Sequence, residues 1–254
     1  MPHSTTCPLG STTSTIDTSL TVPTSTSATI TVTEPLPYWL VNVPRSEWPA
    51  ECPDFLLNTT DKNKSILSVP DEEYKIDNWD RVKEIVTSNQ IDRFQRVPSH
   101  LRKYLEWSVG IKKEYGSFVD YVVKERLGWG GEGGVVPKST TPFENADDLK
   151  ILYNDWPYGV EKGIVHLVVW TKFALEDDPA TGDMTAESRQ QIEDYVQKTF
   201  CSRVSAENVR WFKNWSSLKS VKAVEHFHVM LNQPDEAFLK EVTNGDVPLV
   251  ENMQ

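Results

Sequence analysis

The amino-acid sequence predicts an α+β fold, a mostly antiparallel sheet with packed helices. Two observations predict it. Between about residues 78 and 127, apolar side chains recur at helical spacing behind capping residues. Between 164 and 231 the pattern changes, and three segments rich in β-branched and aromatic residues read as strands. A third observation bounds the size. The 254 residues are 38% hydrophobic and include nine Trp, nine Phe and eight Tyr, enough to fill one sizeable core.

Residues 1–34 hold 18 Ser or Thr, no Lys or Arg, and only two acids, Asp17 and Glu34. Such a stretch buries too little apolar surface to offset its ordering entropy, so a disordered tail is expected, either phosphorylated and regulatory or without specific role. The single α+β domain is expected over residues 35–240. It opens at Leu36-Pro-Tyr-Trp-Leu-Val-Asn-Val-Pro44, read as a short strand or extended clamp. Pro49 and Pro53 forbid a continuous helix through this entry, and residues 57–72 read as a loop.

Asp77 or Asn78 can cap a helix to about Thr87, with Trp79, Val82, Ile85 and Val86 on one stripe. Ser99, after Pro98, can cap a second carrying Leu101, Tyr104, Leu105, Ser108 and Ile111. Ser117 can cap a third carrying Phe118, Tyr121, Val122 and Leu127. The glycines from Gly128 to Gly134 form a flexible segment that lacks the ending of a P-loop. Ile164–Thr171 reads as a buried strand, Asp177–Asp183 as a turn, and Thr185 as the cap of a helix carrying Ile192, Tyr195, Val196, Thr199 and Phe200. Val209–Lys213 and Val224–Leu231 are two further strands. A short helix from about Asp235 and a frayed tail over 241–254 complete the chain.

The formal charge of -11, from 26 basic and 37 acidic residues, repels phosphate backbones and argues against a general nucleic-acid binder. It leaves room for a small anion held by local cations and backbone N–H groups. No apolar run approaches the roughly 20 residues that span a bilayer, and the N-terminus lacks the pattern of a secretory signal. A cytoplasmic protein, with nuclear entry open, is expected. The glycosylation sequons at Asn58, Asn63 and Asn214 then read as chance matches. Cys7, Cys52 and Cys201 form neither a disulfide framework nor a metal-ligand cluster, and the sequence leaves the cofactor unknown.

The candidate chemistry lies in Glu225-His-Phe-His-Val-Met-Leu231. Alternate strand residues share a face, so Phe227, Val229 and Leu231 point one way and Val224, His226, His228 and Met230 the other. Two imidazoles about 7 Å apart can supply a base or nucleophile and its orienting partner, or simply be two half-exposed strand histidines. A metal would need a third ligand that the sequence does not specify. His166, alone in its strand, reads as a satisfied core residue or, with Asn154 and Asp155, as a ligand-binding residue reaching the pocket from the neighbouring strand. Asn154 and Asp155, in the loop Asn154-Asp-Trp-Pro-Tyr-Gly159, can bind sugar hydroxyls or stabilise the turn. Lys213 and Asn214 end one strand, and Lys219 and Lys222 lie between it and the histidines. Together these are candidates for an oxyanion site, with solvated loop lysines as the alternative.

Several motifs carry a family resemblance: Tyr38-Trp-Leu-Val-Asn-Val-Pro44, Asn78-Trp-Asp80, Phe94-Gln-Arg-Val-Pro98, Tyr115-Gly-Ser117, Glu125-Arg-Leu127, Asn154-Asp-Trp-Pro-Tyr-Gly159, His166-Leu-Val-Val-Trp-Thr-Lys172 and Glu225–Leu231. From about residue 35 to 233 the chain resembles the fungal N-acetylglucosamine-induced protein 1 family, which centres on a domain of unknown function. The resemblance implies a link to amino-sugar response and names no reaction. The order Leu152-Tyr-Asn-Asp, His166–Phe173, Met184-Thr, Asn214 and His226-Phe-His228 is also similar to the histidine-triad and galactose-1-phosphate uridylyltransferase superfamily. That similarity implies a histidine-triad-like core and a nucleotide or nucleotide sugar as substrate. It makes His228 the nucleophile, His226 its phosphate-contacting or orienting partner, and Asn214 a pocket polar group. Met230 departs from the pattern, which has His or Gln there, and Ser216–Ala223 replaces a small Gly/Ser-rich segment. The alternative is a non-catalytic sensor or adaptor using an inherited ligand pocket for a small phosphorylated or sugar ligand.

Overall fold

Leu36 to Pro44 form turns rather than a strand, because the Tyr38 hydroxyl reaches Leu56 O at 3.0 Å and folds the segment onto a small core around Leu56, Ile66 and Leu101. The computed structural model describes residues 35–131, 134–215 and 224–249. The Ser/Thr-rich segment 1–34, Lys219, Lys222 and the terminal residues 250–254 lie outside them. Two short helices follow the opening turns, α1 (Asp54–Leu57) and α2 (Asp61–Leu67). The second lies in the stretch read as a loop. Its N-cap is Thr60, whose hydroxyl accepts from Asn63 N at 3.2 Å.

Helix α3 (Trp79–Thr87) is capped by Asn78, which accepts from Arg81 N at 2.9 Å, and its stripe buries Val82 and Ile85. Helix α4 (Pro98–Tyr115) starts one residue before the expected cap. Pro98 occupies the first turn, where its missing N–H costs nothing, and Ser99 instead donates its N–H to Asp71 at 3.0 Å. Helix α5 (Phe118–Tyr121) is capped by Ser117 and runs into a π-helical turn, Val122–Leu127, closed by left-handed Gly128.

The sheet comprises β1 (Leu149–Tyr153), β2 (Ile164–Thr171), β3 (Val209–Phe212) and β4 (Glu225–Asn232), in the order β1-β2-β4-β3, with every pairing antiparallel. Strand β1 lay outside the sequence reading. Its Lys150 carries the charge out of the sheet to the carbonyls of Arg126 and Leu127, at 2.8 and 3.2 Å. Between β2 and β3 runs α6 (Ala186–Thr199), capped by Thr185 as its spacing predicts. Removing that cap with Thr185→Ala should cost about 1 kcal/mol, seen as a lower urea midpoint at unchanged slope. An unchanged midpoint would mean the cap is not used.

Helix α7 (Glu236–Val242) follows β4, capped by Asp235. The segment expected to fray beyond 240 is tied down to residue 249: Asp246 pairs with Arg126, and Leu249 N donates to Asp155. The sheet is covered on both faces. Leu167, Val169, Phe227, Val229 and Leu231 meet α6 and α7 in the largest core. The opposite face meets α3, α4 and α5, and there Met230 is fully buried among Val82, Ile85 and Phe212. The strand His226–Met230 is therefore an internal strand with no solvated side, and its histidines are enclosed. No helix among the described residues is long and apolar enough to cross a membrane.

Candidate functional site

The face of β2 and β4 turned toward α4 and α5 leaves a cavity of about 130 Å³. His226, His228, Asn214, Asn154 and Asp155 line it, together with Arg96, Trp156, Tyr158 and Trp170. Antiparallel register places β4 beside β2 so that His228 stands opposite Val168 and His226 opposite Trp170. His166, two residues along β2 from Val168, sits behind His228, and its Nε2 lies 2.9 Å from His228 Nδ1. Both rings are almost wholly buried.

Asn214, just past β3, directs its amide nitrogen to His228 Nε2 at 3.0 Å. With Asn214 donating, His228 accepts at Nε2, carries its proton on Nδ1, and donates to His166 Nε2. Both nitrogens of His228 are thus engaged within the protein. The ring is also stacked on Phe212, 4.9 Å away and 11° from parallel. Burial pushes His166 down to about 3, with the Arg96 charge adding to the effect. Burial likewise holds His228 well below its ordinary value, helped by His166, His226 and Arg96. The pair is neutral at physiological pH. His226 is set differently. Its Nδ1 donates to Val224 O at 3.0 Å, and its ring packs on Trp170 at 4.5 Å.

The remaining candidates divide. Asn154 uses its carbonyl to accept from Trp156 N at 3.0 Å, closing the turn, while its amide nitrogen faces the His166 ring. Asp155 is held by Arg126 at 2.9 Å. Burial pushes its carboxyl up, Arg126 and the Leu249 N–H pull it back, and Asp246 raises it again. Lys213 turns away from the cavity. A buried cation requires a partner, and Lys213 finds Asp177 and, at 2.8 Å, Leu175 O, with Glu225 3.6 Å away. It is not part of an anion pocket with Asn214. Lys219 and Lys222 lie outside the described residues. Among those described, no group of three or more His, Cys, Asp or Glu is placed to hold a metal ion.

Arg96 and Arg126 are cavity-lining cations that sequence reasoning missed. Arg96 is the one that turns its head into the cavity without a carboxylate partner among the described residues. It belongs to Phe94-Gln-Arg-Val-Pro98, which crosses between α3 and α4. Phe94 stacks between Tyr158 and Phe212, at 5.0 and 5.2 Å. Gly159 donates to Gln95 O at 2.8 Å, and only a glycine fits there because a Cβ would sit 2.5 Å from the Tyr74 ring. These contacts aim Arg96 into the cavity, its Nε donating to Trp156 O at 2.9 Å and its head over the Tyr104 ring at 4.3 Å. Among the described residues, two buried polar atoms of the lining have no partner, Trp156 Nε1 and Asn214 Oδ1.

Residues 78–232 match a family described as a protein of unknown function, DUF3605. The chain belongs to the DUF3605 family. Every cavity residue named above falls within the matched span. The chain is 30% identical over 184 residues to N-acetylglucosamine-induced protein 1 of Candida albicans, covering 66% of this chain and 72% of that protein. It is 30% identical over 166 residues to the uncharacterized protein YPL067C of Saccharomyces cerevisiae, covering 64% and 82%. Both relatives are fungal proteins, and the first bears out the family resemblance read from the Trp-containing motifs. The crystal structure of HTC1 superimposes with a TM-score of 0.52 at 28% identity, covering 69% of this chain and 94% of that one.

Proposed function

We propose that this protein is a small-molecule binding protein, a non-catalytic sensor or adaptor, whose ligand occupies the cavity beside His226 and His228. The observation that carries this reading is the engagement of both His228 nitrogens, with His166 and Asn214. Covalent histidine catalysis needs a ring nitrogen whose lone pair faces the electrophile. Here that lone pair accepts from Asn214, and a substrate would first have to displace the amide. Met230 adds to the argument. In the position where a histidine-triad enzyme has a phosphate-contacting His or Gln, it is fully buried in the core. The cavity, about 130 Å³, is also below the roughly 300–1,000 Å³ of sites that enclose drug-sized ligands. A sugar or a phosphate group fits that volume better than a whole nucleotide sugar.

The name of the Candida albicans relative records induction by N-acetylglucosamine, which makes amino sugars and their phosphates the first ligands to try. The rival reading is a histidine-triad-like hydrolase or transferase acting on a nucleotide or nucleotide sugar, with His228 as nucleophile and His226 as its partner. It rests on the strand-borne pair lining a cavity. Both are tested by incubating the protein with amino sugars, nucleoside polyphosphates and UDP-sugars, following melting temperature, product and intact mass. A ligand present at 100 times its Kd should stabilise by about 2.7 kcal/mol and raise the melting temperature by roughly 5–10 °C, with no product. Turnover abolished by His228→Ala, with a nucleotidyl adduct in the wild type, would replace the binding reading with the catalytic one.

A further inference from the structure

We infer that Arg96 anchors an oxyanion in this cavity, and that the ligand is a monosaccharide-sized acid, a sugar phosphate or sugar carboxylate. The inference rests on the binding reading above and goes beyond it in naming the anchor and the ligand class.

Two arginines line the cavity, and only one is satisfied. Arg126 is bound on three nitrogens by Asp155 and Asp246. Arg96 has no carboxylate partner among the described residues. It makes one hydrogen bond, from Nε to Trp156 O, and its head lies over Tyr104 and 5.7 Å from the Tyr158 ring centroid. That arrangement fixes the plane of the guanidinium and leaves both terminal nitrogens for a bidentate acceptor. Its polar neighbours do not balance the charge. His166 and His228 are neutral, and the nearby acid Asp155 is already taken by Arg126.

The unpartnered atoms carry the second half of the argument. Buried N–H groups in native proteins are nearly always paired. Trp156 is 3% exposed and its Nε1–H has no acceptor among the described residues. An oxyanion on Arg96 would supply one. Asn214 Oδ1 is the complementary case, a buried acceptor without a donor. A fully deprotonated oxyanion cannot satisfy it, whereas a ligand that carries a hydroxyl can. Trp170, packed on His226, adds an aromatic side chain to the lining for the apolar side of a sugar ring. An acidic group, a hydroxyl donor and a small ring within about 130 Å³ together describe a monosaccharide acid.

The test is titration calorimetry on the full chain with glucosamine 6-phosphate, glucuronate, inorganic phosphate and neutral glucosamine-derived sugars, at two salt concentrations. The sugar phosphate or the uronate should bind at least about 10-fold tighter than the neutral sugars, and more weakly as salt rises. Whichever of the two binds better assigns the oxyanion. Arg96→Gln should lose about 10- to 100-fold for the anionic ligand, a larger loss than for the neutral sugars. Trp156→Phe removes a donor that no described residue uses. It should weaken the anionic ligand while the circular-dichroism spectrum stays native. Should Arg96→Gln fail to fold, the wild-type ratio of charged to neutral sugar and the Trp156→Phe titration decide alone. Neutral sugars binding as tightly as the acids, or Arg96→Gln binding the acids as well as wild type, overturns the oxyanion site and leaves the binding reading standing. An absence of binding by every probe overturns both.

Discussion

Replacing Arg126 by methionine is expected to destabilise the fold by about 3–5 kcal/mol, because it leaves two enclosed carboxylates without their cation. Arg126 sits on the π-helical turn after α5. From there it reaches Asp155 through Nε at 2.9 Å and Asp246 through both terminal nitrogens at 2.9 and 3.0 Å. The side chains are 14%, 18% and 9% exposed, so solvent screens them little. Each acid also accepts a backbone N–H, Asp246 from Tyr153 at 2.9 Å and Asp155 from Leu249 at 3.1 Å. One guanidinium thus joins the helical layer, the β1–β2 loop and the C-terminal segment. Methionine keeps the stem's packing and removes only the charge and the donors.

Acid should partly repair the variant. Without Arg126 the two carboxylates face each other, and the carboxyl of Asp155, already raised by burial, moves higher. A carboxyl with a raised folded value binds its proton more tightly in the folded state, so it adds stability as pH falls through that value. The deficit against wild type, measured by urea unfolding at pH 7 and pH 5, should therefore narrow at the lower pH. Adding Asp246→Asn to the methionine variant should recover part of the loss at pH 7. A deficit below about 1 kcal/mol, the size of an exposed ion pair, would show that the cluster is solvated and does not hold these segments together.

Sequence and structure agree where a local pattern decides and part where tertiary contacts do. Strands β2, β3 and β4 are legible because their β-branched and aromatic runs serve two cores at once. Strand β1 is not, since Leu149–Tyr153 carries a lysine in its middle and only the carbonyls at the end of the π-helical turn explain how it fits. Alternation along β4 correctly groups His226 with His228, and of the two alternatives the half-exposed pair is ruled out because α4 and α5 cover that face. Lys213 is adjacent in sequence to Asn214 and looks like its partner. In the structure Lys213 turns to Asp177 while Asn214 turns to His228. Arg96 is the converse case. Its motif is visible as a family signature, yet nothing in Phe94-Gln-Arg-Val-Pro98 says which pocket it enters. That follows from stacking on Tyr158 and Phe212 and from the close approach at Gly159, all contacts between distant parts of the chain.

Stability should fall steeply below pH 6.5, and His166 and His228 should account for most of the slope. An unfolded histidine takes up its proton near pH 6.5. In the folded protein His166 does so at about 3 and His228 far below its ordinary value, with burial the leading cause for both. Between those limits the unfolded chain binds more protons than the folded one, so the stabilisation is complete above about pH 6.5 and is lost as pH falls toward 3. Each neutral ring contributes up to about 1.4 kcal/mol per pH unit, so the pair removes roughly 3 kcal/mol between pH 6.5 and 5. The groups facing the pair reinforce this direction. Arg96 and His226 both oppose a further positive charge, and Tyr158, pushed up by burial, stays neutral throughout. His100, half-buried and lowered chiefly by its own desolvation, adds a smaller slope of the same sign. The double substitution His166→Gln with His228→Gln keeps hydrogen-bonding side chains and removes the titration. Urea midpoints from pH 7.5 to 5 should fall much less steeply in the variant than in the wild type, the His100 contribution remaining in both. Parallel curves would mean that the pair is protonated in the folded protein, and that the hydrogen bond between two neutral rings is wrongly assigned.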